Sequence, residues 1–172
     1  TAEDIHIVCL FERLEAALEF DGALQPHRTL FPNRTDIYGE QLICDGEDNI
    51  IGSDKYFLPV ATDLPLEAAA ELVSGMGGIC YPAHIDRQAN GLIAVLGGFP
   101  QTPEFGCAEL YRPQAAEYSE KYGLSEKRLI IGSDAHRLTD LRENNAFVEL
   151  NAEPEDEAAV RRELFKWLRG EI

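Results

Sequence analysis

Basic side chains are scarce in this chain: 15 Lys and Arg stand against 31 Asp and Glu, a formal net charge of −16. Such a surface repels a phosphate backbone, which argues against sequence-independent nucleic-acid binding. Long apolar runs are missing as well. None approaches the roughly 20 residues that span a bilayer, and no basic segment followed by an apolar one opens the chain. The expected location is therefore the cytoplasm, with no membrane partner. Cysteines number four, Cys9, Cys44, Cys80 and Cys107, with no Cys-x-x-Cys pair. They match neither a zinc-knuckle pattern nor a disulfide framework, and read as reduced, mostly buried thiols. Cys9 and Cys80, inside apolar strand runs, read as small hydrophobes with no redox role. No phosphate loop is present either, because Gly75-x-Gly77-Gly78 precedes a strand and so reads as a helix end.

What the chain does have is enough apolar residue, 45%, to bury a core in one domain of 172 residues. Ile5 to Leu10 reads as an interior strand and Phe11 to Phe20 as a helix with Leu10, Leu14, Ala17 and Leu18 on one stripe. Residues 21–39 read as a loop, and His27 within it as a solvated side chain. Gln41 to Cys44 and Asn49 to Gly52 flank an Asp- and Gly-rich turn, the pattern of a β-hairpin excursion at about 40–53. Asp63 and Pro65 signal a helix start, with Leu66, Ala69, Ala70 and Val73 as its buried stripe. A strand from Gly78, a helix from Asp86 to Leu96, a strand from Cys107 to Tyr111 and a helix from Pro113 to Tyr122 follow. Then come strands at Arg128 to Ile131 and Phe147 to Leu150, and a last helix opened by Pro154 with its stripe at Val160, Leu164, Trp167 and Leu168. Such alternation predicts parallel βαβ units.

The chemistry concentrates at two strand ends. Ile130-Ile131-Gly132-Ser133-Asp134-Ala135-His136 is an apolar run ending in Asp-x-His, and the period of an extended strand puts Asp134 and His136 on the same side. Gly78 to Asp86 is a second apolar run, and it delivers His84. Ligands at the ends of neighbouring parallel strands share one rim, where sites of such folds lie. His6 alone reads as a hydrogen-bonded core histidine. With His84, Asp134 and His136 it reads as a metal ligand, because burying several imidazoles and a carboxylate is costly unless something coordinates or neutralises them. Asp86 caps the next helix with Arg87 at the surface, or Arg87 points into the rim and holds an anionic substrate group.

Together, the Ile-His-Ile strand at 5–7, Pro-Ala-His-Ile-Asp-Arg at 82–87 and Ile-Gly-Ser-Asp-Ala-His at 131–136 resemble the polymerase and histidinol phosphatase (PHP) family. The resemblance is closest to its stand-alone bacterial phosphoesterases. It implies an α/β fold, a partial irregular (β/α) barrel of the PHP type with the hairpin inserted, and a cluster of metal ions at the C-terminal rim. It also implies a metal-dependent phosphoesterase, a hydrolase of small phosphorylated substrates, with zinc, manganese or iron as the divalent ions. His6, His84, Asp134 and His136 would be metal ligands, Asp134 and His136 catalytic, and Arg87 the phosphate-holding residue. The family's opening His-x-His strand, its Thr-Asp-His histidine and the glutamate expected just before Thr1 are not in this sequence. Residues 1–172 are accordingly expected to form the C-terminal portion of one PHP domain, self-associating through the sheet edge left unpaired. Two other readings are a non-catalytic truncated subdomain that acts as a binding module, and a polymerase-associated PHP domain, which the acidic balance disfavours.

Overall fold

Six short strands form among the described residues: β1 (Ile7–Leu10), β2 (Leu42–Cys44), β3 (Ile50–Ser53), β4 (Ile79–Pro82), β5 (Cys107–Leu110) and β6 (Arg128–Ile131). They come from a computed structural model that describes residues 1–112, 115–141 and 147–172. Their side chains sort by the period of two that a strand imposes. Val8, Leu10, Ile79, Tyr81 and Ile130 pack with Leu164, Trp167 and Leu168 on one face. Ile7, Cys80, Leu129 and Ile131 pack on the other, against Ile5, Leu66, Ala70, Leu92 and Leu124. Strands β1, β4, β5 and β6 therefore lie as one layer between helices. Ile5, Ile85, Leu92 and Leu110 are fully enclosed, each contributing about 1.5–3 kcal/mol by leaving water.

The α/β class holds, but among the described residues the strands make three two-stranded pairings and no closed barrel. Of these three pairings, the β5 and β6 pair alone is parallel. β1 runs antiparallel to β4, with Cys9 opposite Cys80, which corrects the expected all-parallel arrangement. Apolar runs at both strands specify burial, and burial is indifferent to direction. The end of β4 is tied to β5 by the Ile85 N–H, which donates to the Glu109 carbonyl at 2.8 Å. β2 and β3 form a separate antiparallel hairpin with a register shift near Cys44.

The helices are α1 (Leu14–Leu24), α2 (Thr35–Tyr38), α3 (Leu66–Gly75), α4 (Leu92–Leu96), α5 (Ala115–Tyr122) and α6 (Glu157–Arg169). In α3 the buried residues are Leu66, Ala69, Ala70 and Val73, the stripe the periodicity marks out. Its first turn is not capped by Asp63, which pairs instead with His27 Nδ1 at 2.7 Å. The Glu3 carboxylate accepts the Leu66 N–H through both oxygens, at 3.1 and 2.9 Å, so a residue 63 positions upstream supplies the negative charge that a helix start favours. α6 is capped by Asp156, whose side chain accepts the Ala159 N–H, so the helix opens beyond Pro154.

Three other expectations change. In α1 the inward residue is Ala16, whereas Leu14 and Leu18 are 68% and 62% exposed; periodicity identifies a stripe but not the neighbour that would cover it. α4 covers five residues instead of eleven, because 84–91 is used for a turn in which the Arg87 N–H returns to the His84 carbonyl at 2.9 Å. Phe147 to Leu150 is not a strand, and Phe147 is 81% exposed: an apolar run becomes a strand only where an edge offers hydrogen bonds. The helix start expected at Pro113 lies outside the described residues. Among those described, no helix is long and apolar enough to cross a membrane.

Candidate functional site

His6 precedes β1 and His84 follows β4. Because the two strands are antiparallel, the beginning of one lies beside the end of the other, and the two imidazoles meet. His84 Nε2 is 3.3 Å from His6 Nδ1, and the rings stand edge to face with centroids 5.2 Å apart. The backbone locks this approach. The Ala83 N–H donates to the His6 carbonyl at 3.0 Å, and the His6 N–H to the Asn90 carbonyl at 3.1 Å. His84 is buried, and its Nδ1 has no hydrogen-bond partner among the described residues. A buried polar nitrogen left in that condition costs free energy unless a ligand uses it.

Asp134 follows β6 and carries an ion pair to Arg87 Nη1. The Arg87 guanidinium also lies over the Tyr111 ring, 5.0 Å from its centroid, so a cation–π contact fixes its plane. Arg87 thus faces the site and not the surface alone. His136 Nε2 is 3.5 Å from Asp134 Oδ1, and its side chain is 81% exposed, which sets it on the outer lip. Both His84 and Asp134 adopt positive φ, +29° and +44°. For residues with a Cβ, such backbone costs of the order of 1–3 kcal/mol and concentrates at functional positions.

Asp86 does not cap α4. Its carboxylate accepts the Tyr111 N–H at 2.7 Å and the Arg112 N–H at 2.9 Å, and it is buried. It therefore clamps the chain leaving β5 against the turn that holds His84 and Arg87.

Glu109 was not singled out by the sequence pattern, and it belongs to the site. Burial raises its pKa above the usual carboxylate range; His84 opposes that shift, and Asp134 and Asp86 add to it. Its carboxyl group lies under Gly132, where a Cβ would collide with it, Cδ being 2.6 Å from that position. A side chain at the glycine of Gly132-Ser133-Asp134 would therefore have to push the Glu109 carboxylate out of its present place. The available signal was a lone acid in the otherwise buried run Cys107-Ala108-Glu109-Leu110.

The donors suit a divalent cation in kind. Burial of its ring, and then the neighbouring His84, hold His6 below the ordinary histidine value, so it is neutral near pH 7, the form that ligates. Among the described residues, however, no three His, Cys, Asp or Glu side chains form a group that could hold one ion. Arg87, not a histidine, occupies the inner side of Asp134.

The His6 environment has a measurable consequence. In an NMR titration of the imidazole protons, His6 should titrate below about 6.5 and move up toward that value in His84→Ala, as burial and repulsion are both relieved. Because the native form takes the proton less readily than the unfolded chain, this group's contribution to stability is present above the unfolded value and lost as pH falls through the folded one. An unchanged His6 titration in His84→Ala would contradict the pairing.

The chain matches no family model, no curated protein and no solved structure.

Proposed function

We propose that this domain is the metal-binding part of a PHP-type phosphoesterase, a partial barrel of that family whose substrate is a small phosphate ester. The observation that carries the reading is the meeting of His6 and His84, 78 residues apart, at 3.3 Å, with the arginine-bound carboxylate of Asp134 close enough for its charge to act on His6. A bound divalent ion, zinc, manganese or iron, would supply Lewis acidity and an activated water at neutral pH. His6 and His84, the two imidazoles that meet, would hold it; Asp134 and His136 would have to move in to complete its ligands, since the four do not form one group among the described residues. These mixed imidazole and carboxylate donors do not select sharply among the three metals.

Arg87 positions the phosphoryl group. A guanidinium has five N–H donors in a planar fork, so it can keep one edge on Asp134 and offer the other to phosphoryl oxygens while Tyr111 holds its plane. Neutralising that dianion matters here, because a chain of net charge −16 repels it everywhere else. Glu109, its pKa raised by burial, would be the carboxyl group best able to hold a proton for the reaction.

A second reading is a binding module without turnover. It is favoured by the absence, among the described residues, of a three-ligand group. Calorimetric titration of Mn2+ or Zn2+ into the chain, with a parallel assay of p-nitrophenyl phosphate hydrolysis, separates the two. Phosphoesterase function requires metal-dependent turnover, with metal affinity at least about 10-fold weaker in His84→Ala. Binding without turnover supports the module. No binding of either metal overturns the phosphoesterase reading.

A further inference from the structure

We propose that Cys9 and Cys80 form a reversible cross-strand disulfide, a modification site that staples β1 to β4. Seventy-one positions separate them in sequence, yet they are direct partners in the antiparallel ladder, in the register Val8 with Tyr81, Cys9 with Cys80, Leu10 with Ile79.

The hydrogen-bond phase of the ladder decides whether two such cysteines can bond. The Ala83 N–H donates to the His6 carbonyl at 3.0 Å, which makes positions 6 and 83 a hydrogen-bonded pair. Pairs alternate along an antiparallel ladder, so 8 with 81 and 10 with 79 are of the same kind, and 7 with 82 and 9 with 80 are of the other. Pro82, which has no N–H to give, sits in the second kind as it must. Residues of a non-hydrogen-bonded pair have Cα atoms about 4.5 Å apart and side chains drawn together on one face. That separation is at the near end of the range of about 4.4–6.8 Å that a disulfide bridges.

The shared face can be identified and reached. Residues of alternating phase on β1 and β4, Val8 and Leu10 with Ile79 and Tyr81, pack toward α6, so Cys9 and Cys80 both project to the opposite side. There Cys9 lines a cavity of about 300 Å3 with Ile5, Ile7, Phe20 and Leu24. Both cysteines are half-buried free thiols, unlike the fully buried Cys107 and the exposed Cys44. Burial pushes Cys9 up to about 11 and Cys80 to about 12, the latter helped by Cys9. Both are protonated at neutral pH, and exchange runs through a small thiolate fraction.

The oxidant is a low-molecular-weight disulfide such as glutathione disulfide. The Cys9 thiolate attacks one of its sulfurs, forming a mixed disulfide and releasing one glutathione thiolate. Cys80, deprotonated, then attacks Cys9 Sγ, breaking the mixed disulfide and releasing the second glutathione. The two thiol protons pass to the two departing thiolates, so the protein loses two electrons and the glutathione disulfide gains them. The bond would lie three residues from His6 and four from His84, holding the register of the strands that carry them.

The test needs no substitution in the site. The reduced 172-residue chain is incubated with glutathione disulfide, unfolded, alkylated with iodoacetamide and digested with trypsin. The four cysteines fall in four different peptides: Cys9 in 1–13, Cys44 in 35–55, Cys80 in 56–87 and Cys107 in 88–121. The expected result is a linked pair of peptides 1–13 and 56–87, with neither cysteine alkylated, restored to two alkylated peptides by prior dithiothreitol. The Cys44→Ser variant should give the same linked pair, because Cys44 takes no part. Cys9 and Cys80 recovered alkylated, or each carrying glutathione without the link, would overturn the proposal.

Discussion

Gly91→Ala should lower stability by about 3 kcal/mol, the upper end of what an overpacked core position costs, and so lower Tm by roughly 6–12 °C for a chain of this size. Gly91 is buried immediately before α4. A Cβ there would collide with the Arg87 carbonyl oxygen and lie 3.1 Å from the His84 carbonyl oxygen. Both obstacles are backbone, so neither can swing aside as a flexible side chain would. The turn from His84 to Arg87 would have to open, and the His6 N–H, which donates to the Asn90 carbonyl next door, would lose its anchor with it. Gly22→Ala is the control of opposite sign. It lies inside α1 with nothing within 4 Å of its Cβ position and should stabilise by about 0.5–1 kcal/mol. Thermal and urea denaturation of the two variants decides the matter; an unchanged Tm in Gly91→Ala would mean that the turn is not packed as described.

Asp86→Ala is expected to cost about 3 kcal/mol, against about 1 kcal/mol had the residue been a helix cap. The larger figure follows from the partners. One buried carboxylate accepts two backbone N–H groups, from Tyr111 and Arg112 at 2.7 and 2.9 Å, and hydrogen bonds to a charged group are worth about 1.5–3 kcal/mol each. The substitution removes both acceptors and unfastens the chain after β5 from the turn carrying His84. Asp134→Ala should lose far less stability, since its carboxylate is bound to the partly exposed Arg87 side chain and its removal leaves the β6 ladder intact. Urea denaturation midpoints measure the contrast; equal losses in the two variants would contradict it.

Legibility in the sequence followed the range of the interaction. The α3 stripe at Leu66, Ala69, Ala70 and Val73 was readable because four residues on one helical face report their burial through spacing alone. The span of β6 and the positions of His84 and Asp134 just beyond strand ends were readable for the same local reason. Asp86 was misread because a carboxylate at the start of an apolar segment looks the same whether it caps its own helix or accepts from a loop 25 residues on. Glu109 was missed because a single acid in a strand carries no pattern until Gly132 is seen above it.

By itself, the sequence determined the α/β class, the strands and helices with strong periodicity, the acidic surface, and which histidines and aspartates end strands. These are properties of neighbours along the chain, and side-chain periodicity encodes them. Tertiary structure alone decided the antiparallel setting of β1 against β4, and everything that depends on it: His6 beside His84 rather than at the far edge, and Cys9 opposite Cys80. An apolar strand buries its side chains equally well in either direction. Its orientation is settled by which backbone donors and acceptors find partners when the layer closes, and those partners lie some seventy residues away.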